Sequence, residues 1–371
     1  MRVLMTGGGT AGHINPALAI AEKIKKERPD AEILFVGAKG RMETTLVPAA
    51  GYPIKTVSVS GFQRRLTLKN IGRNIVAAVN VVTSSVAAAK IVKEFKPDIA
   101  IGTGGYVSGP VLREAIRHGV PTLVHESNAF PGVTVKMLAK EGATVLLCSE
   151  AARRYLPQDC EVVITGNPLR ADFGTQDKAA AKAALGLDSR PLVLSFGGSL
   201  GARRINEAMT EVLRRSYKEG KLQHIHGTGK TGWDSMTAAL QECGVPLAQD
   251  GISVREYITD MPQCMAAADL VICRCGAMTL SELPAAGKPS ILIPSPYVAE
   301  NHQYHNAMAL VEQDAAVCIE EKDLTGDSLW EAIESITADA ARMDAMAHNV
   351  RRLAIEDADE RIYRVVCEKM K

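Results

Sequence analysis

The sequence predicts an α/β protein of two Rossmann-like domains, each a doubly wound parallel sheet, facing each other across a cleft. Three observations carry this expectation. Short apolar runs alternate with helical segments along nearly the whole chain, the pattern of a parallel sheet covered on both faces. The first run, Arg2–Thr6, breaks into Gly7-Gly8-Gly9 ahead of a helix. The same plan restarts in the second half, where Pro191–Phe196 runs into Gly197-Gly-Ser-Leu-Gly201 and a new helix. At 371 residues the chain is long enough for two domains. The expected division is residues 1–165, residues 166–350, and a C-terminal helix over 351–371 that packs back on the first domain.

Taken in order, the buried opening strand turns through glycines, and Pro16 begins an Ala/Leu/Ile-periodic helix to about Arg28. A strand Ile33–Val36 closes at Gly37, followed by a helix Thr44–Ala50 and a strand Ile54–Val59. A long helical stretch, Leu68–Phe95, leads to the strand Ile99–Ile101 and the loop Gly102–Gly109. Then come a helix Pro110–His118, a strand Thr122–Val124, the loop His125–Gly132, another helix, and strands Val145–Cys148 and Val162–Thr165. Gly166–Arg170 reads as a linker and Ala179–Leu185 as a helix. Further strands are expected at Gln223–His226, Ile252–Val254, Leu270–Cys273, Ser290–Ile293 and Ala316–Ile319, before amphipathic helices of which the last is Asp359–Met370.

Composition narrows the function. Apolar residues at 46% and charged residues at 23% describe a soluble globular protein. A formal net charge of +1 argues against a nucleic-acid binder with a basic surface, and 4% aromatics against base-stacking platforms. Eight cysteines without regular spacing suggest reduced thiols. No signal peptide is read at the start, and the most apolar region, Ile75–Ala89, is interrupted by Asn80, Thr83, Ser84 and Ser85. The expectation is a cytosolic protein, at most attached to a membrane surface.

A strand that breaks through glycines onto a helix presents backbone N–H groups and a positive dipole end, a site for phosphate. Gly7, Gly9 and Gly12 satisfy the G-x-G-x-x-G pattern, but the acid that a dinucleotide's ribose needs after the second strand is missing from Phe35-Val-Gly-Ala-Lys39. His224-Ile-His-Gly-Thr-Gly-Lys-Thr231 lacks the first glycine of a P-loop. His13, in the first helical turn, is either a solvent-facing helix histidine or a general base suited to neutral pH. In Arg274–Glu282, Thr279 and Glu282 have capping-box spacing. Alternatively, the Gly276–Met278 backbone meets a diphosphate while Glu282 accepts from vicinal ribose hydroxyls.

Asn301 reads as a helix cap, or His302 and Gln303 face a sugar. Cys273 with Cys275, and His224 with His226, lack further ligands at zinc-like spacing and read as buried thiols and strand histidines. Asp357 and Asp359 read as a solvated helix start rather than a metal site. Phe62, Leu66, Leu68 and Ile71 are interleaved with Arg64, Arg65, Lys69 and Arg73. That stretch is either an amphipathic helix on the first sheet or a surface that inserts between acidic lipid headgroups.

Six motifs in order carry a resemblance. They are Gly7-Gly-Gly-Thr-Ala-Gly-His13, Gly104-Gly-Tyr-Val-Ser-Gly-Pro110, His125-Glu-x-Asn128, Gly166-Asn-Pro168 with Arg170, Gly197-Gly-Ser199 with Gly201-Ala202, and Gly276-Ala277 with Ser281-Glu282. Over about residues 2–310 the chain resembles the MurG family, bacterial N-acetylglucosaminyltransferases that make lipid II. The resemblance implies the glycosyltransferase-B fold and metal-independent, inverting transfer. N-acetylglucosamine would move from UDP-N-acetylglucosamine to the 4-hydroxyl of the muramyl sugar of lipid I, for peptidoglycan synthesis, with no cofactor besides that donor.

By motif, the resemblance implies that Ile258 holds uracil through its backbone and Glu282 the ribose. Ser199, Arg170 and the Ala277, Met278 and Thr279 backbone meet the donor diphosphate, and Leu280 and Ser281 also belong to the donor site. Thr10, Ala11, Gly12, Asn128 and Gln303 hold the donor sugar. Gly9, Gly104, Gly105 and Tyr106 face the acceptor's diphosphate, and His13 matches the histidine proposed as base. Implied partners are lipid I, anionic lipid on the cytoplasmic face of the cell membrane, and cell-wall or division proteins, with no nucleic acid. Cys275, Ser127 and His302 depart from residues common in the family. The competing readings are a glycosyltransferase acting on diacylglycerol or another prenyl diphosphate, a UDP-sugar epimerase, and a nicotinamide oxidoreductase.

Overall fold

The computed structural model describes residues 1–59, 83–169, 176–198 and 200–370. The chain divides into two compact units, Met1–Leu169 with Glu356–Lys371, and Arg170–Ile355. The stretch with Phe62, Leu66, Leu68, Ile71 and the four interleaved cations lies outside the described residues, as do Arg170 and Ser199. Residues 83–95, the end of the expected long helix, are helical.

The first unit carries seven strands. They are β1 (Arg2–Thr6), β2 (Glu32–Ala38), β3 (Ile54–Val57), β4 (Ile99–Gly102), β5 (Thr122–Glu126), β6 (Thr144–Leu147) and β7 (Val162–Ile164). Their order is β3-β2-β1-β4-β5-β6-β7, and every pairing is parallel. The second unit repeats the plan with β8 (Leu192–Phe196), β9 (Gln223–Gly227), β10 (Ala248–Gln249), β11 (Ile252–Arg255), β12 (Leu270–Cys273), β13 (Ser290–Leu292) and β14 (Ala316–Cys318). Their order is β10-β11-β9-β8-β12-β13-β14, parallel except for β10 against β11. The strand order reverses beside β1 and beside β8, where doubly wound sheets bind ligands at the carboxyl ends.

Central strands are buried on both faces, which is why β8 reads Leu-Val-Leu-Ser-Phe without alternation. Helices cover those faces through single stripes. In Arg203–Glu219 the stripe is Ile205, Ala208, Met209, Val212 and Leu213, and Gly220, with φ of 66°, stops the helix in the left-handed conformation. Asp177 caps Lys178–Ala184 by accepting from the Ala180 N–H at 2.9 Å.

The last helix, Ala358–Lys369, belongs to the first unit. Its Ile362, Val365 and Val366 share a core cluster with Ile20 and Ile24 of the helix Ala11–Glu27, and Lys23 pairs with Glu360 at 2.6 Å. β10 and the helix Trp233–Glu242 lie outside the sequence-based element order. A two-residue strand with both side chains exposed carries no periodicity to read.

Candidate active site

In the first unit, the loops after β1, β4 and β5 converge at the carboxyl edge of the sheet. The β1 loop runs through Gly7–Thr10 into the helix Ala11–Glu27, with His13 half-buried in its first turn. His13 Nδ1 lies 3.0 Å from the Thr103 carbonyl oxygen, which only accepts, so Nδ1 carries the proton and Nε2 holds the lone pair of the neutral ring. Thr103 Oγ1 in return donates to the His13 carbonyl at 2.6 Å. The ring packs so closely on Gly104, with φ of 105°, that a Cβ there would lie 2.7 Å from Nδ1.

The two glycine loops also meet through backbone. A Cβ on Gly105, which has φ of 82°, would stand 2.3 Å from the Gly8 carbonyl oxygen. Gly9 also has positive φ, and its N–H donates to Glu43 Oε2 at 3.0 Å. Beyond this contact, Ala11 and Gly12 open the helix with no helical carbonyl behind their N–H groups. Tyr106, next in the chain after Gly105, is 69% exposed.

At the end of β5, His125 and Glu126 are buried and order the loop that follows. His125 Nε2 donates to the Gly166 carbonyl at 2.9 Å, and Ser127 Oγ lies 3.4 Å from Nδ1. Glu126 Oε1 accepts from both the backbone N–H and Nδ2 of Asn128 at 2.9 Å, and Oε2 from the Gly132 N–H at 2.8 Å. Asn128 is therefore held with its amide nitrogen inward. Burial raises the Glu126 pKa above its ordinary value, opposed by these bonds and by Lys136. Glu126 was present in the sequence motif, but nothing in spacing marked it as the group that aims Asn128.

In the second unit, the loops after β8, β9, β11, β12 and β13 do the same work. Ile258 is buried against Gly227, so what its loop offers is backbone, and Arg255 braces that loop through Asp260 at 2.8 and 3.1 Å. Arg274 Nη1 donates to the carbonyls of Ile293 and Pro294 at 3.2 Å and Nη2 pairs with Glu321, tying the β12 and β13 loops together. The run Ala277–Glu282 turns into the helix Thr279–Ala286, whose N-cap is Met278 without a side-chain bond. The N-cap position falls on Met278, one residue before Thr279, so the capping box spaced on Thr279 and Glu282 does not bound this helix. Gln303 Oε1 accepts from the Ser295 N–H at 2.8 Å. Just before it, Glu300 and Asn301 adopt φ of 55° and 51°, and Asn301 makes no side-chain cap. Two successive left-handed non-glycine residues are strained backbone, a feature that concentrates at ligand sites.

A glycosyltransferase family 28 N-terminal domain matches residues 3–147, and a family 28 C-terminal domain residues 192–362. The UDP-N-acetylglucosamine–N-acetylmuramyl-(pentapeptide) pyrophosphoryl-undecaprenol N-acetylglucosamine transferase of Acetivibrio thermocellus is 46% identical, covering 100% of this chain and 99% of that protein. The protein of that name from Ruminiclostridium cellulolyticum is 42% identical, covering 99% of this chain and 100% of its own. The chain belongs to the MurG family. The crystal structure of Acinetobacter baumannii MurG superposes with a TM-score of 0.81 at 25% identity, covering 99% of each chain.

Within this MurG-family chain the expected site residues fall into two groups. Gly9, Thr10, Ala11, Gly12, His13, Gly104, Gly105, Tyr106 and Asn128 share the first unit, and Ile258, Ala277–Glu282 and Gln303 the second. The P-loop-like run His224–Thr231, which leaves β9 at Gly227, has another use. A Cβ on Gly201, with φ of 82°, would lie 2.0 Å from the Thr228 carbonyl oxygen, and one on Gly229 equally close to the Gly201 nitrogen. These glycines let two loops meet, as Gly8 and Gly105 do in the first unit. Among the described residues no group of three or more metal-ligating side chains occurs. Cys273 and Cys275 are buried, and burial raises both thiols well above their ordinary value.

Three buried histidines are expected to weaken the fold at acid pH. Burial lowers His125 to about 4 and both His224 and His226 to about 3, from 6.5. His226 lies 2.7 Å from Ser195 Oγ and His224 2.8 Å from Ser216 Oγ, neutral contacts that offer no charge to offset protonation. The folded state thus resists protons that the unfolded chain accepts. The stability they support is complete above pH 6.5 and falls as pH drops toward 4 to 3. Each contributes a slope of up to about 1.4 kcal/mol per pH unit in that window. Urea midpoints should fall between pH 7 and pH 5, and replacing His226 with Gln should flatten the slope. Equal slopes would show that His226 is not the titrating group.

Proposed function

We propose that this chain transfers N-acetylglucosamine from UDP-N-acetylglucosamine to the 4-hydroxyl of the muramyl sugar of lipid I, with inversion, giving lipid II. Both substrates carry a diphosphate. The observation that carries the reading is that each unit offers a strand–glycine–helix seat, one for each diphosphate. We assign the donor to the second unit, with uracil on the Ile258 backbone and the ribose on Glu282. The diphosphate meets Ser199, Arg170 and the helix start at Ala277–Ser281. Gln303, Asn128 and the Thr10–Gly12 turn hold the donor sugar. The acceptor's diphosphate meets Gly104, Gly105, Tyr106 and the β1 loop. Because the Gly9 N–H is bonded to Glu43, Gly9 serves there by shaping the loop.

As the donor's glycosidic bond breaks, its electron pair passes to the β-phosphate oxygen. Backbone N–H groups and the dipole of the helix Thr279–Ala286, with Arg170, stabilise that charge without a metal. His13 Nε2 takes the proton of the attacking hydroxyl, and attack from the opposite face gives a β-linkage in one displacement. No helix among the described residues is long and apolar enough to cross a membrane. Contact with the lipid-borne acceptor at the cytoplasmic face is assigned to Phe62, Leu66, Leu68 and Ile71 with Arg64, Arg65, Lys69 and Arg73 on anionic lipid. Cell-wall or division proteins are the partners this role implies.

The test is UDP release in the presence of EDTA, with acceptor supplied in anionic vesicles. We expect stabilisation by UDP but not NAD, and release only when a muramyl lipid diphosphate is present. Release on water alone, or a requirement for a divalent metal, would overturn the reading. In the same assay Phe62→Ser with Leu66→Ser should reduce vesicle co-sedimentation. Full retention would return that stretch to the alternative, a helix packed on the first sheet.

A further inference from the structure

Glu43 is absent from every motif considered above, yet it is fully buried at the carboxyl edge of the first sheet. It opens a short helix, Glu43–Ala49, and its carboxylate turns back under the glycine loop. Oε2 accepts from the Gly9 N–H at 3.0 Å and Oε1 from the Ala38 N–H, at the end of β2, at 2.9 Å. Two glycines make room for it. A Cβ on Gly8 would stand 2.1 Å from Oε1, and one on Gly37 2.6 Å from Cγ. One carboxylate thus pins the loop that precedes His13 to the neighbouring strand, by bonds to an ionisable group buried among backbone donors.

We propose that Glu43 is a positioning residue for the transfer. It holds the Gly7–Thr10 loop, and through it the start of the helix that carries His13, in the conformation that receives the acceptor. It touches no substrate. The Gly8 carbonyl, against which Gly105 packs, is part of the same pinned loop, so both glycine loops of the first unit depend on it. A loop released from this bond still folds back on Thr103 through His13, but its two glycine turns regain the freedom that Gly8 and Gly9 allow. The inference rests on the assignment of the acceptor to these loops.

The test compares wild type with Glu43→Gln and Glu43→Ala in the full-length protein. Gln keeps the shape but places an N–H₂ against one of the two N–H donors. We expect faster amide hydrogen exchange at Gly9 and Ala38, and a kcat/KM for the acceptor lowered ~10- to 100-fold. UDP binding, assigned to the second unit, should stay unchanged, with Gln milder than Ala. A merely structural role would lower the active fraction and leave both KM values alone; that result, or unchanged exchange at Gly9, would overturn the proposal. Exchange in wild type with and without a prenyl diphosphate separately tests the acceptor seat. If the ligand protects neither glycine loop, the seat assignment falls, while the comparison of wild type with Glu43→Gln still decides the role of Glu43.

Discussion

Replacing His13 with Ala is expected to lower kcat by ~10²- to 10⁴-fold while leaving UDP binding nearly unchanged, the range for loss of a general base. The geometry makes the substitution clean. The Thr103 carbonyl fixes the ring through Nδ1, leaving Nε2 as the basic nitrogen, while the bond from Thr103 Oγ1 goes to the His13 backbone and survives in the variant. The helix keeps its apolar face through Ile14, Ala17, Ile20 and Ile24, so the fold should not suffer. Pre-steady-state turnover at saturating donor and acceptor checks this. Near-normal turnover would remove His13 as the base and pass the role to a carboxylate or a substrate group.

Glu282→Ala should raise the KM for UDP-N-acetylglucosamine ~10- to 100-fold with a smaller effect on kcat, because a carboxylate accepting from two ribose hydroxyls acts on ground and transition states alike. Because Met278, not a Thr279–Glu282 box, bounds the helix Thr279–Ala286, the melting temperature of the same variant separates a nucleotide role from a structural one. A large loss of stability with an unchanged donor KM would mean that Glu282 serves the fold and not the nucleotide.

Much of this arrangement was legible in the chain. Apolar runs such as Leu270–Cys273, bounded by turn residues, predict buried parallel strands, and that strand is found at those bounds. The restart at Leu192 marks a second sheet because glycines follow a strand in both places. The site residues stand just after strands, and in doubly wound sheets all such loops lie at one edge. What spacing could not show is which polar groups already have partners. Arg274, just before the Gly276–Ser281 run, is spent on two carbonyls and Glu321.

The clearest case is the acid expected after the second strand. None stands in Phe35–Lys39, yet Glu43 brings a carboxylate to the Ala38 N–H from five residues beyond the strand. There it faces inward, bonded to backbone, and is no ribose ligand. By itself, the sequence determined where most of the strands run and which loops share an edge, because period and turn chemistry are local properties of the chain. Only the tertiary structure decided that Gly8 and Gly37 make room for Glu43, that Gly201 and Gly229 exist to meet each other, and that Thr103 sets the tautomer of His13. Those contacts join residues far apart in the chain, and close packing, not periodicity, selects them.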